Sequence, residues 1–420
     1  MKRKSKFGRN EKYFFLISFI VVVVLLELGV RGLFLVLGNR GAWGYPINTN
    51  VAKPYVGFAS DSYEEGKDRY GFRLHDLSNA QRDLTDKLEC EFRIFLLGGS
   101  TVDGRNLVNL NDMLSARLEN LLNENTTSRV RFSVINGGKG GYISIQSLMQ
   151  HAFYIKYSLN PDFVIHFSGS NDFLNGTTYW PDGKYLGVEQ NLHRDTEQLF
   201  TDMNRSRKLG GAINNVFRIL SDYLAIVFLV HKTVNDPKAW SRSRWLNRIL
   251  HHEDESTAIN ARSVDAWVEQ HVRRYLFNIR MAIQIADADT GVAYFFQPTL
   301  LPYMMPWLSQ KEIVYLGKGL DSSYTFHGYD RREAKQSYYF RVRDELRKMG
   351  NELNSDYSIV KDLSNLFDNK SVDETYFGDH VHYLPLGRKI LAKEIHQAIS
   401  SQIWSQITNS AKLDTCKSNR

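Results

Sequence analysis

The chain has 420 residues and a formal charge of +7, and 43% of its residues are hydrophobic. This length and composition suit a globular protein with a sizeable core, in one large domain or two smaller ones. Residues 1–12 hold six lysines and arginines and one glutamate, so the rest of the chain is nearly neutral. The charge therefore does not indicate nucleic-acid binding, and no basic stripe with interleaved aromatic residues stands out.

The two cysteines, Cys90 and Cys416, stand far apart in the sequence. Two cysteines exclude a disulfide framework and a cysteine-based zinc site. A chain without disulfides is stable in either redox setting, so the cysteine count leaves the compartment open.

An apolar segment follows the basic N-terminus. Tyr13–Leu26 has no charged residue and would span about 21 Å as a helix. Glu27 and Arg31 lie four residues apart and can pair on one helix face. A cleaved signal peptide is the alternative to an anchor, but no small-residue cleavage site follows the apolar run. We predict a single membrane anchor over 13–37 that leaves 1–12 in the cytoplasm, because basic residues stay on that side.

The chain beyond the anchor is then predicted to be extracytoplasmic, and periplasmic in a Gram-negative bacterium. Residues 38–90 are polar and irregular, which indicates a juxtamembrane segment that packs onto the main domain. The main domain is predicted over 91–405, with insertions near 176–257 and 302–330. Residues 406–420 are predicted to be a loose polar tail.

Within the main domain, strand-like apolar runs alternate with helical patterns. The strand candidates are "RIFLL", "RFSVIN", "DFVIHFSG", "GVAYFFQPTLL" and the weaker "YSIVKDL". The leucine spacing in "NDMLSARLENLLNEN" is helical. This alternation predicts an α/β three-layer sandwich, in which a mostly parallel sheet of about five strands is covered on both faces.

Four short segments follow predicted strands or precede the last helix. "LLGGST" contains Ser100, "VINGGKGGY" contains Gly141, "HFSGSND" contains Asn171, and "FGDHVHYLPLG" contains Asp379 and His382. A serine nucleophile needs a histidine base, and the histidine needs a carboxylate on its other nitrogen. Asp379 and His382 supply both from one turn. The backbone N–H groups of Ser100 and Gly141 and the Asn171 amide are candidate donors to an oxyanion.

Each segment alone has a commoner structural explanation. A Gly-Gly-Ser after a strand is more often a turn, Ser-Asn-Asp is a routine helix cap, and Asp-x-x-His often begins a helix with a solvated histidine. "NGGKGG" fits neither of the glycine-rich phosphate-binding motifs. His380 is a competing histidine, but only His382 has the three-residue spacing to Asp379. The functional interpretation depends on the four segments occurring together and in order.

At these segments the sequence resembles the SGNH/GDSL hydrolase superfamily. "GGST" resembles the first block, with Ser100 as nucleophile, and "NGGKGGY" resembles the second, with Gly141 at the oxyanion position. "GSND" is similar to the third block, with Asn171 as an oxyanion donor. "DHVH" resembles the fifth block, in which Asp379 and His382 complete the triad.

The resemblance covers roughly residues 70 to 399, apart from the insertions. "YGFR" and "FQPTLL" are also similar to a bacterial, membrane-anchored subgroup. Gly99 stands where the superfamily name implies aspartate, a variant that occurs in this subgroup. Lys139 is unusual in the second block and is predicted to bias the site toward an anionic ligand.

The resemblance implies acyl-ester chemistry with no metal or organic cofactor. We expect a membrane-anchored extracytoplasmic serine esterase, acting on a short acyl ester such as O-acetyl on a surface glycan. The outward topology and the aromatic residues of the insertions motivate the glycan, with Tyr179 and Trp180 as candidate sugar contacts. One alternative is an O-acyltransferase of cell-surface polysaccharide with the same triad. Another is a glycan-binding or assembly protein without turnover.

Overall fold

The computed structural model describes two compact units. The first comprises Met1–Thr49 and Glu197–Ser256, of which only Tyr13 and residues 17–18, 21–22 and 24–29 are described, all of them helical. The second comprises Asn50–Thr196 and Thr257–Arg420. Its described residues are 50–53, 56–60, 66–79, 81–104, 107, 109–124, 129–173, 261–318, 325–326, 329–409 and 416.

Several predictions fall outside the described residues. These are the cytoplasmic N-terminus 1–12, the remaining positions of the predicted anchor 13–37, and the insertion 176–257 with Tyr179 and Trp180. Within the described part of the chain, no helix is both long enough and apolar enough to cross a membrane.

The second unit is built on a parallel sheet of five strands. Two antiparallel pairs of short strands accompany the sheet: β1 (Asn50–Lys53) with β2 (Gly57–Ser60), and β7 (Thr325–Phe326) with β8 (Tyr329–Asp330). The strands of the sheet are β3 (Glu91–Gly98), β4 (Arg131–Asn136), β5 (Phe163–Ser168), β6 (Gly291–Phe296) and β9 (Ser358–Asp362). Their order is β4-β3-β5-β6-β9, and every neighbouring pair is parallel. The predicted α/β fold with about five parallel strands is confirmed.

Helices cover both faces of this sheet. Every residue of β3, β5 and β6 is buried, which requires cover on both sides and explains why these strands are mostly apolar. The helices are α1 (Ser100–Asp103), α2 (Leu114–Glu124), α3 (Ser144–Gln150), α4 (Ala261–Gln284), α5 (Gln310–Lys318), α6 (Arg331–Leu353) and α7 (Pro385–Asn409). Helix α3 continues into a π-helical turn at His151–Ile155. Helix α7 packs on α2, and α6 packs on α4.

The outer edge of β4 is closed by side chains of α2. Asn123 accepts the N–H of Phe132 at 3.0 Å and donates to its carbonyl oxygen at 3.0 Å. Glu119 accepts the N–H of Val134 at 2.7 Å. An edge strand with unpaired backbone groups invites pairing with another chain, and these contacts remove that opportunity.

The segment before β3 packs against the sheet. Asp68 accepts the N–H groups of Tyr70 at 2.9 Å and Phe72 at 2.8 Å, which folds "YGFR" into a tight turn. The Phe72 ring meets Phe95 of β3 edge-on, with centroids 5.6 Å apart. Arg73 then donates its N–H to the carbonyl oxygen of Asn136 at 3.1 Å. This segment therefore reaches the carboxyl end of β4.

Cys90 and Cys416 form a disulfide, with Cα atoms 5.4 Å apart. The sequence did not predict this bond, because 326 positions separate the two cysteines and only the fold brings them together. Cys90 immediately precedes β3, and the carbonyl oxygen of Cys416 accepts the N–H of Arg129 at 3.2 Å. These contacts modify the predicted loose tail over 406–420: α7 extends to Asn409, and Cys416 is held by the disulfide.

Replacing Cys416 with serine is expected to lower the free energy of unfolding by about 3 to 5 kcal/mol, because the bond closes a very long loop in the unfolded chain. Denaturant unfolding of the wild type and Cys416→Ser measures the loss. Cys90→Ser should give the same loss, and the double variant no more than either single one. Equal stability of wild type and variants would contradict the disulfide.

Candidate active site

Three adjacent strands place Ser100, Gly141 and Asn171 at the carboxyl end of the sheet. Strand β3 ends at Gly98, and Ser100 begins α1; β4 ends before the loop 137–143; and β5 ends shortly before Asn171. A Cβ at Gly98 would lie 2.2 Å from the carbonyl oxygen of Phe167 on β5. Glycine therefore lets β3 end this close to its neighbour, with Ser100 just beyond the sheet.

Ser100, His382 and Asp379 form a continuous hydrogen-bonded chain. His382 Nε2 lies 2.7 Å from Ser100 Oγ, and His382 Nδ1 lies 2.6 Å from Asp379 Oδ2. Asp379 Oδ1 accepts the backbone N–H groups of Val381 and His382, each at 2.8 Å. The structure thus brings together the three residues predicted from "GGST" and "DHVH", although 282 positions separate Ser100 from His382.

The environment of Asp379 favours its ionised form. Burial raises the pKa of the carboxyl group, but the hydrogen bond from His382, the charge of that residue and the two backbone N–H groups together hold the pKa well below its ordinary value. An ionised carboxylate can only accept, so the proton of a neutral His382 lies on Nδ1. The lone pair on Nε2 then faces the Ser100 hydroxyl.

The loop that carries His382 is anchored on the chain that leaves β6. The backbone carbonyl of His380 accepts from the Thr299 hydroxyl at 2.8 Å and from the N–H of Leu300 at 3.2 Å. The Tyr383 hydroxyl donates to the carbonyl oxygen of Pro298 at 2.6 Å. His380, the competing histidine, therefore contributes its backbone to the anchor, whereas the His382 ring reaches Ser100.

The predicted oxyanion residues Gly141 and Asn171 lie on segments next to the Ser100 turn. Asn171 Nδ2 donates to the carbonyl oxygen of Tyr142 at 2.8 Å. Gly141, the residue before Tyr142, has φ +84°, a conformation that favours glycine. On its other side, a Cβ added at Gly140 would lie 4.0 Å from Ser100 Cβ. The loop 137–143 and Asn171 are therefore both close to the nucleophile turn.

Gly99 makes room for the Asn171 amide. A Cβ at residue 99 would lie 2.3 Å from Asn171 Nδ2 and 3.2 Å from the carbonyl oxygen of Tyr142. The glycine at this position is thus matched to an amide that packs directly against the backbone.

Replacing Gly99 with alanine is expected to push the Asn171 amide out of place and, if the chain is the esterase that the sequence predicts, to lower kcat about 10²-fold, the effect of losing one oxyanion donor. Steady-state kinetics of Gly99→Ala measure the loss. Gly350→Ala is the matched control, because nothing lies within 4 Å of a Cβ added at Gly350. Unchanged kcat in Gly99→Ala would show that the amide position does not matter.

Lys139 is buried, with 6% of its surface exposed. Its backbone N–H donates to the carbonyl oxygen of Gly98 at 3.0 Å. Its role in binding an anionic ligand stays a prediction. Across the described residues, no group of three or more His, Cys, Asp or Glu side chains is arranged to hold a metal ion.

Three buried charged residues that were not singled out from the sequence also lie next to the site. Lys67 and Asp103 form an ion pair at 3.1 Å. Asp172 accepts from the N–H of Ser144 at 3.1 Å. Asp103 and Asp172 stand inside "STVDG" and "GSND", so their place in these motifs could have indicated a role at the site. Nothing in the sequence around Lys67 indicates such a role.

Asp172 is buried, and this burial raises its pKa to about 7, with the hydrogen bonds from Ser144 only partly opposing the rise. Between the ordinary aspartate pKa and about 7, the native carboxyl keeps a proton that the unfolded chain releases. The free energy of unfolding therefore falls as the pH rises through this window. We expect Asp172→Asn to reduce that fall, measured by denaturant unfolding at about pH 5 and about pH 8. An equal fall in both proteins would contradict the shifted pKa.

No protein-family model matches the sequence, and no curated protein matches it. Solved structures give weak likenesses. One is a lipolytic G-D-S-L family protein from Veillonella parvula, with a TM-score of 0.35 and 11% identity over 73% of this chain and 98% of that one. Another is a catalytic mutant of an acetylxylan esterase from Geobacillus stearothermophilus, with a TM-score of 0.34 and 12% identity over 76% and 96%. A third is the acetyl xylan esterase AlAXEase, with a TM-score of 0.32 and 13% identity over 73% and 99%. No site residue is assigned from them.

Proposed function

We propose that this chain is a serine ester hydrolase of the SGNH type, which forms an acyl-enzyme on Ser100. The observation that carries the proposal is the hydrogen-bonded chain from Asp379 through His382 to Ser100. A serine hydroxyl is a weak nucleophile until a base accepts its proton, and this geometry supplies the base at bonding distance.

In the first half-reaction, Ser100 Oγ attacks the ester carbonyl carbon as its proton passes to His382 Nε2. The imidazolium that forms is stabilised by Asp379, which stays ionised. His382 then returns the proton to the alcohol oxygen as the ester bond breaks. The alcohol leaves, and the acyl group remains on Ser100.

In the second half-reaction, His382 accepts a proton from water, which attacks the acyl-enzyme carbonyl. The tetrahedral intermediate collapses, the acid leaves, and the proton returns to Ser100 Oγ. Each half-reaction develops negative charge on the carbonyl oxygen. Candidate donors to that oxyanion are the backbone N–H groups of Ser100 and Gly141 and the Asn171 amide. An amide NH₂ has two hydrogens, so the bond to Tyr142 leaves one for the oxyanion.

We place the enzyme outside the cytoplasm, attached through the segment 13–37. The Cys90–Cys416 disulfide supports this location, because disulfides persist in oxidising compartments and cytosolic thiols are kept reduced. In that location the substrate we propose is a short acyl ester, such as an O-acetyl group on a surface glycan.

The test incubates the full-length protein with an acetylated glycan and, separately, with a lipid ester. Acetate release by the wild type and not by Ser100→Ala is the expected result. Release from the lipid alone would overturn the glycan substrate. With a sugar acceptor added, acetyl transferred to the acceptor in place of free acetate would identify an O-acyltransferase. Glycan binding without turnover, unchanged in Ser100→Ala, would identify a binding or assembly protein.

A further inference from the structure

The loop 137–143, which carries Gly141, is held by two buried aspartate side chains, one at its middle and one just after its end. Asp103 Oδ2 accepts the N–H of Gly140 at 3.3 Å. Asp172 accepts the N–H of Ser144, the residue directly after the loop, at 3.1 Å. Neither carboxylate belongs to the loop, so each ties it to a different part of the site.

Asp103 ties the loop to the nucleophile. It lies three residues after Ser100, at the end of α1, with 3% of its surface exposed. Its other oxygen, Oδ1, is paired with Lys67 Nζ at 3.1 Å, and that side chain is also buried. Lys67 belongs to the segment before β3. A buried charge is tolerated only with a partner, so Lys67 stabilises the aspartate that holds Gly140.

Asp172 ties the loop to the Asn171 amide. It directly follows Asn171 in the chain, and Oδ1 also accepts the Ser144 hydroxyl at 2.5 Å. The Ser144 hydroxyl in turn accepts from Asn278 Nδ2 on α4 at 2.8 Å, which fixes the rotamer of Ser144. Asn171 itself donates to the carbonyl oxygen of Tyr142 within the loop.

We propose that Asp103 and Asp172 are positioning residues, which fix Gly141 and Asn171 relative to Ser100 so that their N–H groups converge on one oxyanion. This inference rests on the proposed esterase function. The N–H bond from Gly140 to Asp103, whose other oxygen pairs with Lys67, is stronger than a bond between neutral groups, which suits it to hold a glycine-rich loop. The oxyanion donors act in the transition state, so their displacement lowers kcat more than it raises KM.

Asparagine is the informative replacement because it keeps the shape of aspartate. In Asp103→Asn, the amide can present its oxygen to Lys67 or to Gly140 but must turn its NH₂ group toward the other donor. In Asp172→Asn, the amide oxygen can keep the bonds that Oδ1 accepts from the N–H and the hydroxyl of Ser144, while the NH₂ group replaces Oδ2 and loses its contact with the Ser144 N–H at 3.2 Å. A small displacement of reacting groups can cost about 10²-fold in rate, and we expect kcat to fall about tenfold or more in each variant.

The matched controls remove similar contacts at the opposite ends of the strands. Asp162, just before β5, accepts the N–H of Arg93 at 2.6 Å and pairs with Lys87 at 2.5 Å. The third site variant is Lys67→Met, which removes the partner of Asp103. Asp162→Asn and Lys87→Met are the controls for Asp103→Asn and Lys67→Met. The experiment measures kcat and KM for p-nitrophenyl acetate, together with the Tm, in all variants of the full-length protein.

The expected result is a lower kcat with a nearly unchanged KM in the three site variants, while the controls keep the wild-type kcat. If the site variants and the controls lose Tm alike and keep kcat, the residues are only structural and the proposal is overturned. If Asp172→Asn does not fold, Ser144→Ala removes only the two hydroxyl contacts, with Asp172 and Asn278, and should lower kcat about fivefold or more, at least the effect of one hydrogen bond. An unchanged kcat in Ser144→Ala would also overturn the positioning role of Asp172.

Failure of the proposed function gives a different result. Wild-type turnover that persists in Ser100→Ala, or no turnover in the wild type at any ester, contradicts the esterase itself. Ser100-dependent turnover with unaffected kcat in Asp103→Asn, Asp172→Asn and Lys67→Met contradicts only the positioning role.

Discussion

Ser100→Ala is expected to lower kcat for p-nitrophenyl ester hydrolysis by about 10⁴-fold to 10⁶-fold, which is the range for loss of a triad nucleophile. Without Oγ no acyl-enzyme forms, and His382 Nε2 has no hydroxyl to deprotonate. The residual rate comes from the oxyanion donors acting on water that attacks directly. Steady-state assays over esters of increasing chain length measure the loss and separate acetyl from longer acyl groups.

Ser133→Ala is the matched control for that experiment. Ser133 lies in β4, on the strand beside β3 but outside the hydrogen-bonded chain. Its replacement should leave kcat and the chain-length profile unchanged. If Ser100→Ala retains wild-type turnover while Ser133→Ala does too, another group performs the attack.

Asp379→Asn is expected to lower kcat by about 10⁴-fold through the wrong histidine tautomer. The carboxylate fixes the His382 proton on Nδ1, because both of its oxygens accept hydrogen bonds. An asparagine can turn its NH₂ group toward Nδ1 while its oxygen keeps the bonds to Val381 and His382. The His382 proton then moves to Nε2, which points at Ser100 Oγ and can no longer accept from it.

Asp373→Asn is the control for Asp379→Asn, because Asp373 is an exposed carboxylate on the same stretch of chain. Its kcat should match that of the wild type. The tautomer account also predicts that Asp379→Asn loses kcat with little change in folding stability, which a urea titration checks. A kcat within about tenfold of the wild type in Asp379→Asn would contradict a catalytic role for the carboxylate.

The fold could be predicted from sequence because its central strands are mostly apolar. Strands β3, β5 and β6 are buried on both faces, so each appears as a mostly apolar segment of the length of one strand, with few polar residues such as Arg93 and His166. Glycines or polar residues end these runs, and helical patterns separate them. The strand order β4-β3-β5-β6-β9 needed the structure, since spacing along the chain does not state which strands are neighbours.

The candidate triad could be located in the sequence for a related reason. Ser100 follows one strand and Asn171 follows another, and parallel strands end at one edge of the sheet. Asp379 and His382 are three residues apart, so one turn brings both side chains to the same place. Local spacing, sheet geometry and the family resemblance together indicated the candidate residues, whereas the contacts between their side chains needed the structure.

Long-range contacts between isolated residues could not be predicted. The Cys90–Cys416 disulfide and the Lys67–Asp103 ion pair join positions with no common motif or period. Lys67 lies in a polar segment, where a lysine is ordinarily solvated, and only the packing of that segment against the sheet buries it. Such contacts depend on the completed fold and leave no local pattern.

The most direct test of the account is covalent labelling of the full-length protein with a fluorophosphonate, followed by mass spectrometry of its peptides. The reagent reacts with serines that a neighbouring base activates. We predict that the label is found on Ser100, that Ser100→Ala abolishes it, and that His382→Ala strongly reduces it. Label absent from Ser100 in the folded wild type, or equal labelling of Ser100 in His382→Ala, would contradict activation of Ser100 by His382.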